Sequence, residues 1–209
     1  MSPLEASLRV LVVLDRDAAG SRDLAALASA AVAGGATMLQ VRAKGAGGRE
    51  LVALTEAVLA RSGRVPVVVN DRLDVALVTG AAGCHLGQSD LPIDRARRLV
   101  PAGFLLGGSA YSEEEARRAA AERADYLGIG PVAATPSKLD VPAAVGWEGF
   151  ARIRAAAPGI PAVGIGGIDV VLARGARAAG AAGVAVISAV LGAADPEAAT
   201  RALREAVGP

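Results

Sequence analysis

The sequence predicts a single-domain (β/α)8 barrel, an α/β fold of the TIM-barrel type, over residues 1–209. Short apolar runs alternate with Ala-, Leu- and Arg-rich stretches of helical spacing, at intervals of about 26 residues. Continuous apolar runs of this length are typical of parallel strands that are covered on both faces. The predicted strands span residues 9–14, 37–42, 66–69, 83–86, 104–108, 124–129, 161–165 and 182–187. The predicted helices span residues 21–33, 48–62, 112–122, 147–156, 169–179 and 195–207.

An open, doubly wound parallel sheet is the alternative that this alternation allows. No G-x-G-x-x-G motif follows the first predicted strand, and polar residues instead follow nearly every strand along the chain. A closed barrel brings all of those strand ends to one face, whereas an open sheet uses mainly the point where its strand order reverses. We therefore favour the barrel, with a functional site at the carboxyl ends of its strands.

The composition indicates a globular chain without a global charge that would attract polyanions. Hydrophobic residues make up 53% of the chain, and 22 Lys and Arg nearly balance 21 Asp and Glu. That balance argues against nucleic acid or an anionic membrane as a partner. Cys84 is the only cysteine, the N-terminal segment with Glu5 lacks the pattern of a secretory signal, and no apolar run reaches about 18 residues. We expect a cytoplasmic enzyme that acts on small molecules. The sequence does not determine the oligomeric state, and a homo-oligomer is compatible with it.

Gln40, Arg42 and Lys44 lie at the end of the second predicted strand and just beyond it. Their period-2 spacing predicts that all three side chains lie on one side of an extended segment, which in a barrel faces the mouth. Two cations beside an amide form a clamp for an anionic group carried on a ring. Solvated Lys and Arg side chains at a loop start are the alternative, and we favour the clamp because Gln40 and Arg42 lie inside the strand.

Two carboxylates, Asp71 and Asp90, lie at or just beyond the ends of the third and fourth predicted strands. Mg²⁺ commonly takes one or two protein carboxylates and completes its shell with water and substrate phosphate oxygens. Each residue alone is equally well explained as a helix cap or a turn residue, and Asp90 before Leu91-Pro92 has that context. The neighbouring anion clamp favours a Mg²⁺ site.

Other polar residues lie in or just after the fourth to sixth predicted strands. His85, the only histidine, lies inside an apolar strand, so we interpret it as a hydrogen-bonded core residue rather than a general base. Ser109 offers a hydroxyl to a phosphate or a ring nitrogen. Thr135, Ser137 and Lys138 lie in a Gly- and Pro-containing loop and are suited to an oxyanion such as departing pyrophosphate; a flexible polar loop is the alternative.

Gly164, Gly166 and Gly167 lie at the end of the seventh predicted strand and just beyond it, and Ile187-Ser188 lie at the end of the eighth. Glycine lets backbone N–H groups approach a phosphate closely. TIM barrels frequently bind phosphate at the loops after strands 7 and 8. The pattern therefore predicts a second anion site, without naming its ligand.

Over almost its whole length the chain resembles the thiamine-phosphate synthase family. The resemblance rests on several motifs that stand in the family's order. They are LDR at 14–16, LQVRAK at 39–44, NDRLDVAL at 70–77, HLGQSDLP at 85–92, GSAYSEEEA at 108–116, DYLGIGPVAATPSK at 125–138, VGIGGI at 163–168 and GVAVISAV at 183–190. The resemblance implies a Mg²⁺-dependent transferase that couples hydroxymethylpyrimidine diphosphate to thiazole phosphate, giving thiamine phosphate and pyrophosphate.

The resemblance also implies roles for the candidate residues. The pyrimidine diphosphate would contact Gln40, Arg42, Lys44, Asn70, Ser109 and Lys138. Mg²⁺ would be bound by Asp71 and Asp90. The thiazole substrate would contact Thr135 and Ser137, and its phosphate would contact Gly167, Ile187 and Ser188, largely through backbone groups. The catalytic set would be Arg42, Lys44, Ser109 and Lys138.

The implied chemistry needs no strong protein base. The aminopyrimidine releases electrons toward its CH₂ group, so the C–O bond can break before the thiazole nitrogen attacks. The protein then has to stabilise the departing pyrophosphate and hold the nucleophile in line. This agrees with the lack of a convincing acid–base pair in the sequence.

The chain departs from the family pattern at four places. The family commonly has Glu at the position of Ala43, often has His at that of Tyr111, and has an aromatic-Pro pair at that of Ala133-Ala134. Ser137 replaces the usual Thr and keeps the hydroxyl. We expect these departures to affect rate and loop closure rather than the class of reaction.

Three other functions compete with the synthase. A thiazole tautomerase-like homologue would depend on the His that Tyr111 replaces and would typically lack the metal carboxylates. A phosphate-binding barrel isomerase would need an acid–base pair at the strand ends, which we do not find. A non-catalytic barrel that binds thiazole phosphate is disfavoured by the presence of Asp71, Asp90 and Lys138.

Overall fold

The computed structural model describes residues 2–134 and 143–208, which form a closed barrel of eight parallel strands. The strands are β1 Val10–Asp15, β2 Met38–Arg42, β3 Val67–Asn70, β4 Gly83–Leu86, β5 Leu105–Ala110, β6 Tyr126–Ile129, β7 Ala162–Ile165 and β8 Gly183–Val186. They follow one another around the barrel in chain order, and β1 pairs with both β2 and β8. The predicted barrel is confirmed, and the open doubly wound sheet is excluded.

Helices alternate with the strands along the chain. Those in the described residues are α1 Pro3–Ser7, α2 Arg16–Ala19, α3 Leu24–Ala33, α4 Gly48–Ser62, α5 Leu73–Thr79, α6 Ile93–Ala96, α7 Glu113–Ala121, α8 Gly146–Ala155, α9 Val170–Ala173, α10 Ser188–Leu191 and α11 Pro196–Val207. The predicted helix starts at Ser112 and Asp195 are confirmed, because each side chain accepts a hydrogen bond from the backbone N–H three residues later. Within the described ranges, no helix has the length and hydropathy that a membrane span requires.

The predicted helix over residues 169–179 is wrong beyond its first turn, because regular helix ends at Ala173. Trp147 packs against Gly175, where a Cβ would lie 2.8 Å from Trp147 Cδ1. The indole Nε1 donates to the Leu172 carbonyl at 3.0 Å. The same carbonyl accepts from the Gly175 N–H at 3.0 Å. Since these contacts occupy the carbonyl that the next helical turn would use, the chain continues through turns instead.

One glycine opens space for two rings inside the barrel. Gly107 of β5 lies in register between His85 of β4 and Tyr126 of β6. A Cβ on Gly107 would lie 2.2 Å from Tyr126 Cζ and 2.6 Å from His85 Nδ1. The absence of a side chain therefore lets the His85 and Tyr126 rings approach to a centroid distance of 5.5 Å across β5.

Candidate active site

The mouth of the barrel collects the predicted site residues that the structure describes. Gln40 and Arg42 lie in β2, Asn70 ends β3, and Ser109 lies next to the end of β5. Because the strands of the closed barrel are parallel, these positions share one face of the molecule. The residues that follow their strands on that side are Asp71, Asp90, Gly167, Ile187 and Ser188. Three predicted residues, Thr135, Ser137 and Lys138, lie outside the described residues.

The carboxyl groups of Asp71 and Asp90 meet. When one of them is protonated, the two side chains are close enough to share a hydrogen bond. Burial, and then the hydrogen bond and charge of Asp90, raise the pKa of Asp71 from 3.8 to about 6. Nearby Lys44 and Arg42 act in the opposite direction and do not reverse the shift. Two carboxylates in contact repel each other when both are ionised, so the pair favours a shared proton or a bound cation.

Local backbone geometry holds this pair. Asp71 has a φ of 64°, a left-handed conformation that residues other than glycine rarely adopt. Its N–H donates to the His85 carbonyl at 2.8 Å. Asp90 Oδ2 accepts from the Gly87 N–H at 2.6 Å. Asp90 therefore closes its own turn, as the capping alternative expects, and contacts Asp71 as well, so the two interpretations are compatible.

The predicted clamp forms only in part. Gln40 and Arg42 are buried inside β2, with 5% and 6% of their surfaces exposed. Lys44 lies beyond the strand in a turn and is exposed. The expectation of one extended segment through Lys44 is therefore wrong. Gly45, with a φ of 76°, supports a turn that takes Lys44 out of the strand, although its charge still lowers the pKa of Asp71.

Arg42 is locked against a residue of the neighbouring strand. Its Nη1 donates to Asp15 Oδ2, and both side chains are almost fully buried. Asp15 and Arg42 face each other in the parallel register of β1 and β2. The Nε of Arg42 is buried and has no hydrogen-bond partner among the described residues. A buried donor without an acceptor is costly, so this N–H is open to an acceptor group of a ligand.

A hydrogen-bonded network crosses the barrel below the mouth. His85 Nδ1 lies 3.2 Å from the Tyr126 hydroxyl, and His85 Nε2 lies 3.1 Å from Ser109 Oγ. Gln40 lies near the Tyr126 hydroxyl and Ser109 near the Tyr111 hydroxyl, and each lowers the pKa of the tyrosine beside it. Both ring nitrogens of His85 are thus engaged with buried neighbours. This confirms the interpretation of His85 as a hydrogen-bonded core residue.

Burial keeps two further titratable groups of this interior neutral, Tyr126 and Cys84. Burial raises the pKa of the Tyr126 hydroxyl above its usual value. Burial likewise raises the pKa of the Cys84 thiol, which makes that side chain a poor nucleophile. The interior of the barrel therefore offers hydrogen-bonding groups rather than a strong base or a reactive thiolate.

A cavity of about 40 Å³ lies beside this network. Apolar residues of β1 and β7 line one part of it, and Gln40, His85 and Ser109 contribute polar groups. An apolar wall with a few fixed polar groups suits a flat heterocycle that hydrogen-bonds along one edge.

The turn after β7 supports the loop that follows β6. Gly166 and Gly167 have φ values of 93° and 64°. A Cβ on Gly167 would lie 2.5 Å from the Ala134 carbonyl oxygen. The Ala133 N–H donates to the Gly166 carbonyl at 3.0 Å. The departure from the family pattern at residues 133–134 therefore packs directly on the predicted phosphate turn.

Helix α10 provides the other part of the predicted phosphate site. Ile187 precedes this helix and Ser188 is its first residue. Its far end is fixed by Arg22, whose Nη1 donates to the Leu191 and Ala193 carbonyls at 2.8 and 2.9 Å. The first backbone N–H groups of a helix have no partner within it.

Sequence reasoning assigns no role to Asp15, Gln88 or Tyr126, which the structure places in the site. Gln88 Nε2 donates to the Ser109 carbonyl at 2.5 Å, and Gln88 accepts from Arg118. A tyrosine inside an apolar strand is a usable signal, because a buried hydroxyl needs a partner. The Asp15–Arg42 and Gln88–Ser109 contacts depend on strand register and loop path, which no local pattern reveals.

Comparison with known proteins agrees with this arrangement. Residues 10–190 match a family model described as thiamine monophosphate synthase. A thiamine-phosphate synthase of Moorella thermoacetica is 50% identical over 198 residues, which cover 94% of this chain and 94% of that protein. One of Roseiflexus castenholzii is 47% identical over 196 residues, covering 93% of this chain and 86% of that protein.

Among solved structures, a thiamine phosphate pyrophosphorylase of Pyrococcus furiosus superposes with a TM-score of 0.87 at 37% identity, covering 98% of this chain and 97% of that one. The resemblance seen in the motifs is thereby confirmed over the length of the barrel. The chain belongs to the thiamine monophosphate synthase family of enzymes.

Proposed function

We propose that this enzyme couples hydroxymethylpyrimidine diphosphate to thiazole phosphate, with Mg²⁺ bound by Asp71 and Asp90. Family membership supports the class of reaction, and the contact between the two carboxyl groups is the observation that supports the metal. The C–O bond of the pyrimidine CH₂ breaks, and its electron pair leaves with pyrophosphate. The thiazole nitrogen then donates its lone pair to the CH₂ and forms the new C–N bond.

The donor set fits Mg²⁺. Asp71 and Asp90 supply hard oxygen ligands, and their contact stores a repulsion that a cation relieves. In the ranges that the structure describes, no group of three or more Asp, Glu, His or Cys side chains could hold a metal. A site with only two carboxylates suits Mg²⁺, which usually retains waters and takes phosphate oxygens from a substrate. When bound, the ion would add positive charge beside the diphosphate.

Charge at the mouth explains why a diphosphate would need that ion. Arg42 and Lys44 are positive. Asp15, Asp71 and Asp90 are negative when ionised. These five described side chains, two positive and three negative, together carry a charge of −1. The charge of Arg42 is already balanced by Asp15, with which it forms an ion pair. We therefore expect the diphosphate to bind together with Mg²⁺, with Lys138 as a further cation.

The buried network would orient the pyrimidine. Gln40 and Ser109 each contact a fixed neighbour, Tyr126 and His85 respectively. Their remaining donor and acceptor positions are then available to a ring edge without reorganisation at the moment of reaction. Asn70, at the end of β3, would contact the same substrate.

No strong base is required of the protein at this step. The attacking group is a ring nitrogen with a free lone pair, and no proton has to leave carbon for the C–N bond to form. Thr135 and Ser137 would contact the thiazole. Backbone groups of Gly167, Ile187 and Ser188 would bind its phosphate. These residues follow β7 and β8, on the opposite side of the mouth from β3.

A coupled assay tests this function. Enzyme supplied with both substrates and Mg²⁺ is expected to release thiamine phosphate and pyrophosphate in equal amounts. EDTA should abolish both, and excess Mg²⁺ should restore them. Absence of product, or a rate unaffected by EDTA, would contradict the proposal. Metal-independent isomerisation of carboxylated thiazole phosphate without coupling would favour the tautomerase instead.

A further inference from the structure

Asp15 is held in place through both of its carboxylate oxygens. Oδ1 accepts from the Ala18 N–H at 2.9 Å and so caps helix α2. Oδ2 accepts from Arg42 Nη1. The side chains of Arg42 and Asp15 are only 7% and 5% exposed. The ion pair is therefore a buried, anchored contact rather than a loose surface pair.

This contact restricts how Arg42 presents its other donors. A guanidinium is a planar fork, so fixing one nitrogen against Asp15 sets the plane of the others. Arg42 Nε is buried without a hydrogen-bond partner among the described residues. The charge of Arg42 also acts on Asp71 and Tyr111, which places the guanidinium near the carboxyl pair and the mouth.

We propose that Asp15 is a positioning residue for the coupling reaction, which orients the Arg42 guanidinium so that its free donors meet the diphosphate of the pyrimidine substrate. The inference rests on the function proposed above. A free arginine side chain would lose its rotamer freedom when it binds the diphosphate. With Asp15 in place, that freedom is already lost before the substrate arrives, and the donors need no further ordering.

Asp15→Asn is the direct test, because it keeps the shape and the capping oxygen while it removes the charge. We expect kcat/KM for the pyrimidine diphosphate to fall at least about tenfold, with KM for thiazole phosphate within about twofold of wild type. Calorimetry with inorganic pyrophosphate and Mg²⁺ should show a matching loss of affinity. Asp23→Asn is the matched control, since Asp23 caps α3 in the same way through Ala25 N–H and has no described arginine contact.

A double-variant cycle separates positioning from a merely structural role. If Asp15 acts through Arg42, Asp15→Asn should have an effect below about twofold in an Arg42→Gln background. Multiplicative losses in the cycle, or wild-type kinetics and pyrophosphate binding in Asp15→Asn, would overturn the inference.

Asp15→Asn leaves the buried charge of Arg42 without its partner, which can prevent folding. A second variant covers that case. Asp15→Glu keeps the charge and displaces the carboxylate by one methylene. We expect it to fold with a modest loss of stability from the added methylene and to lose pyrophosphate affinity at least about threefold; unchanged affinity would overturn the inference. A wild-type enzyme that binds pyrophosphate but forms no product would refute the proposed function alone.

Discussion

Asp71→Asn is expected to lower the rate of thiamine phosphate formation at saturating Mg²⁺ by at least about 100-fold, a loss of about 3 kcal/mol. The change removes one of the two carboxylates proposed for the metal. Asn is the suitable replacement because Asp71 has a φ of 64°, which Asn adopts more readily than Ala does. Steady-state kinetics at several Mg²⁺ concentrations measures the effect.

The same substitution is expected to stabilise the metal-free protein at high pH. The pKa of Asp71 is raised from 3.8 to about 6, so the folded state binds more protons than the unfolded state between those values. Stability therefore falls as pH rises through that interval and stays low above it. Asp71→Asn removes this cost, which we put at about 1–2 kcal/mol at pH 8 after allowing for solvent screening, and has little effect at pH 4.

Thermal unfolding in EDTA at both pH values checks this prediction. Asp74→Asn is the matched control, because Asp74 lies on the same segment but is exposed and pairs with Arg72 at 2.6 and 2.8 Å. We expect its turnover to remain within about twofold of wild type. An Asp71→Asn enzyme that keeps Mg²⁺-dependent turnover, or that melts below wild type at pH 8, would contradict the role given to this pair.

Gly107→Ala is expected to destabilise the fold by about 2–3 kcal/mol and to weaken binding of the pyrimidine substrate. The new methyl group would lie 2.2 Å from Tyr126 Cζ and 2.6 Å from His85 Nδ1. The rings have to separate, which disturbs the hydrogen bonds that hold Ser109. Urea unfolding measures the free energy of unfolding, and initial rates measure KM for the pyrimidine diphosphate.

Two graded controls accompany this variant. Gly128→Ala would place its Cβ 3.2 Å from His85 Cε1, so we expect a smaller loss of stability. Gly48→Ala lies in α4 and would meet only the flexible end of Arg72 at 3.2 Å, so we expect little change or a slight gain. Equal stability of Gly107→Ala and wild type would mean that β5 does not constrain the two rings.

Local patterns in the sequence suffice to predict most of the barrel. The apolar runs match the strands because both faces of each strand are covered, and the predicted bounds of residues 48–62 match α4. The prediction over residues 169–179 is wrong because Trp147, distant in the sequence, takes the Leu172 carbonyl. Helical periodicity contains no information about such a contact.

The site is predictable in its members more than in its geometry. Placement of Asp71 and Asp90 after adjacent strands anticipates their contact, whereas the left-handed backbone of Asp71 has no sequence signal beyond residue type. Lys44 leaves the strand because the chain turns at Gly45. The pair of Asp15 with Arg42 follows from the register of β1 against β2, which is set by closure of the whole barrel.

A crystal structure of the enzyme with Mg²⁺ and inorganic pyrophosphate tests the central claim most directly. The expected result is one ion within about 2.1 Å of a carboxylate oxygen from each of Asp71 and Asp90, with a pyrophosphate oxygen in its shell. Arg42, still paired with Asp15, should donate to the same pyrophosphate. Pyrophosphate bound elsewhere, or bound at the mouth with no ion between Asp71 and Asp90, would contradict the proposed metal site.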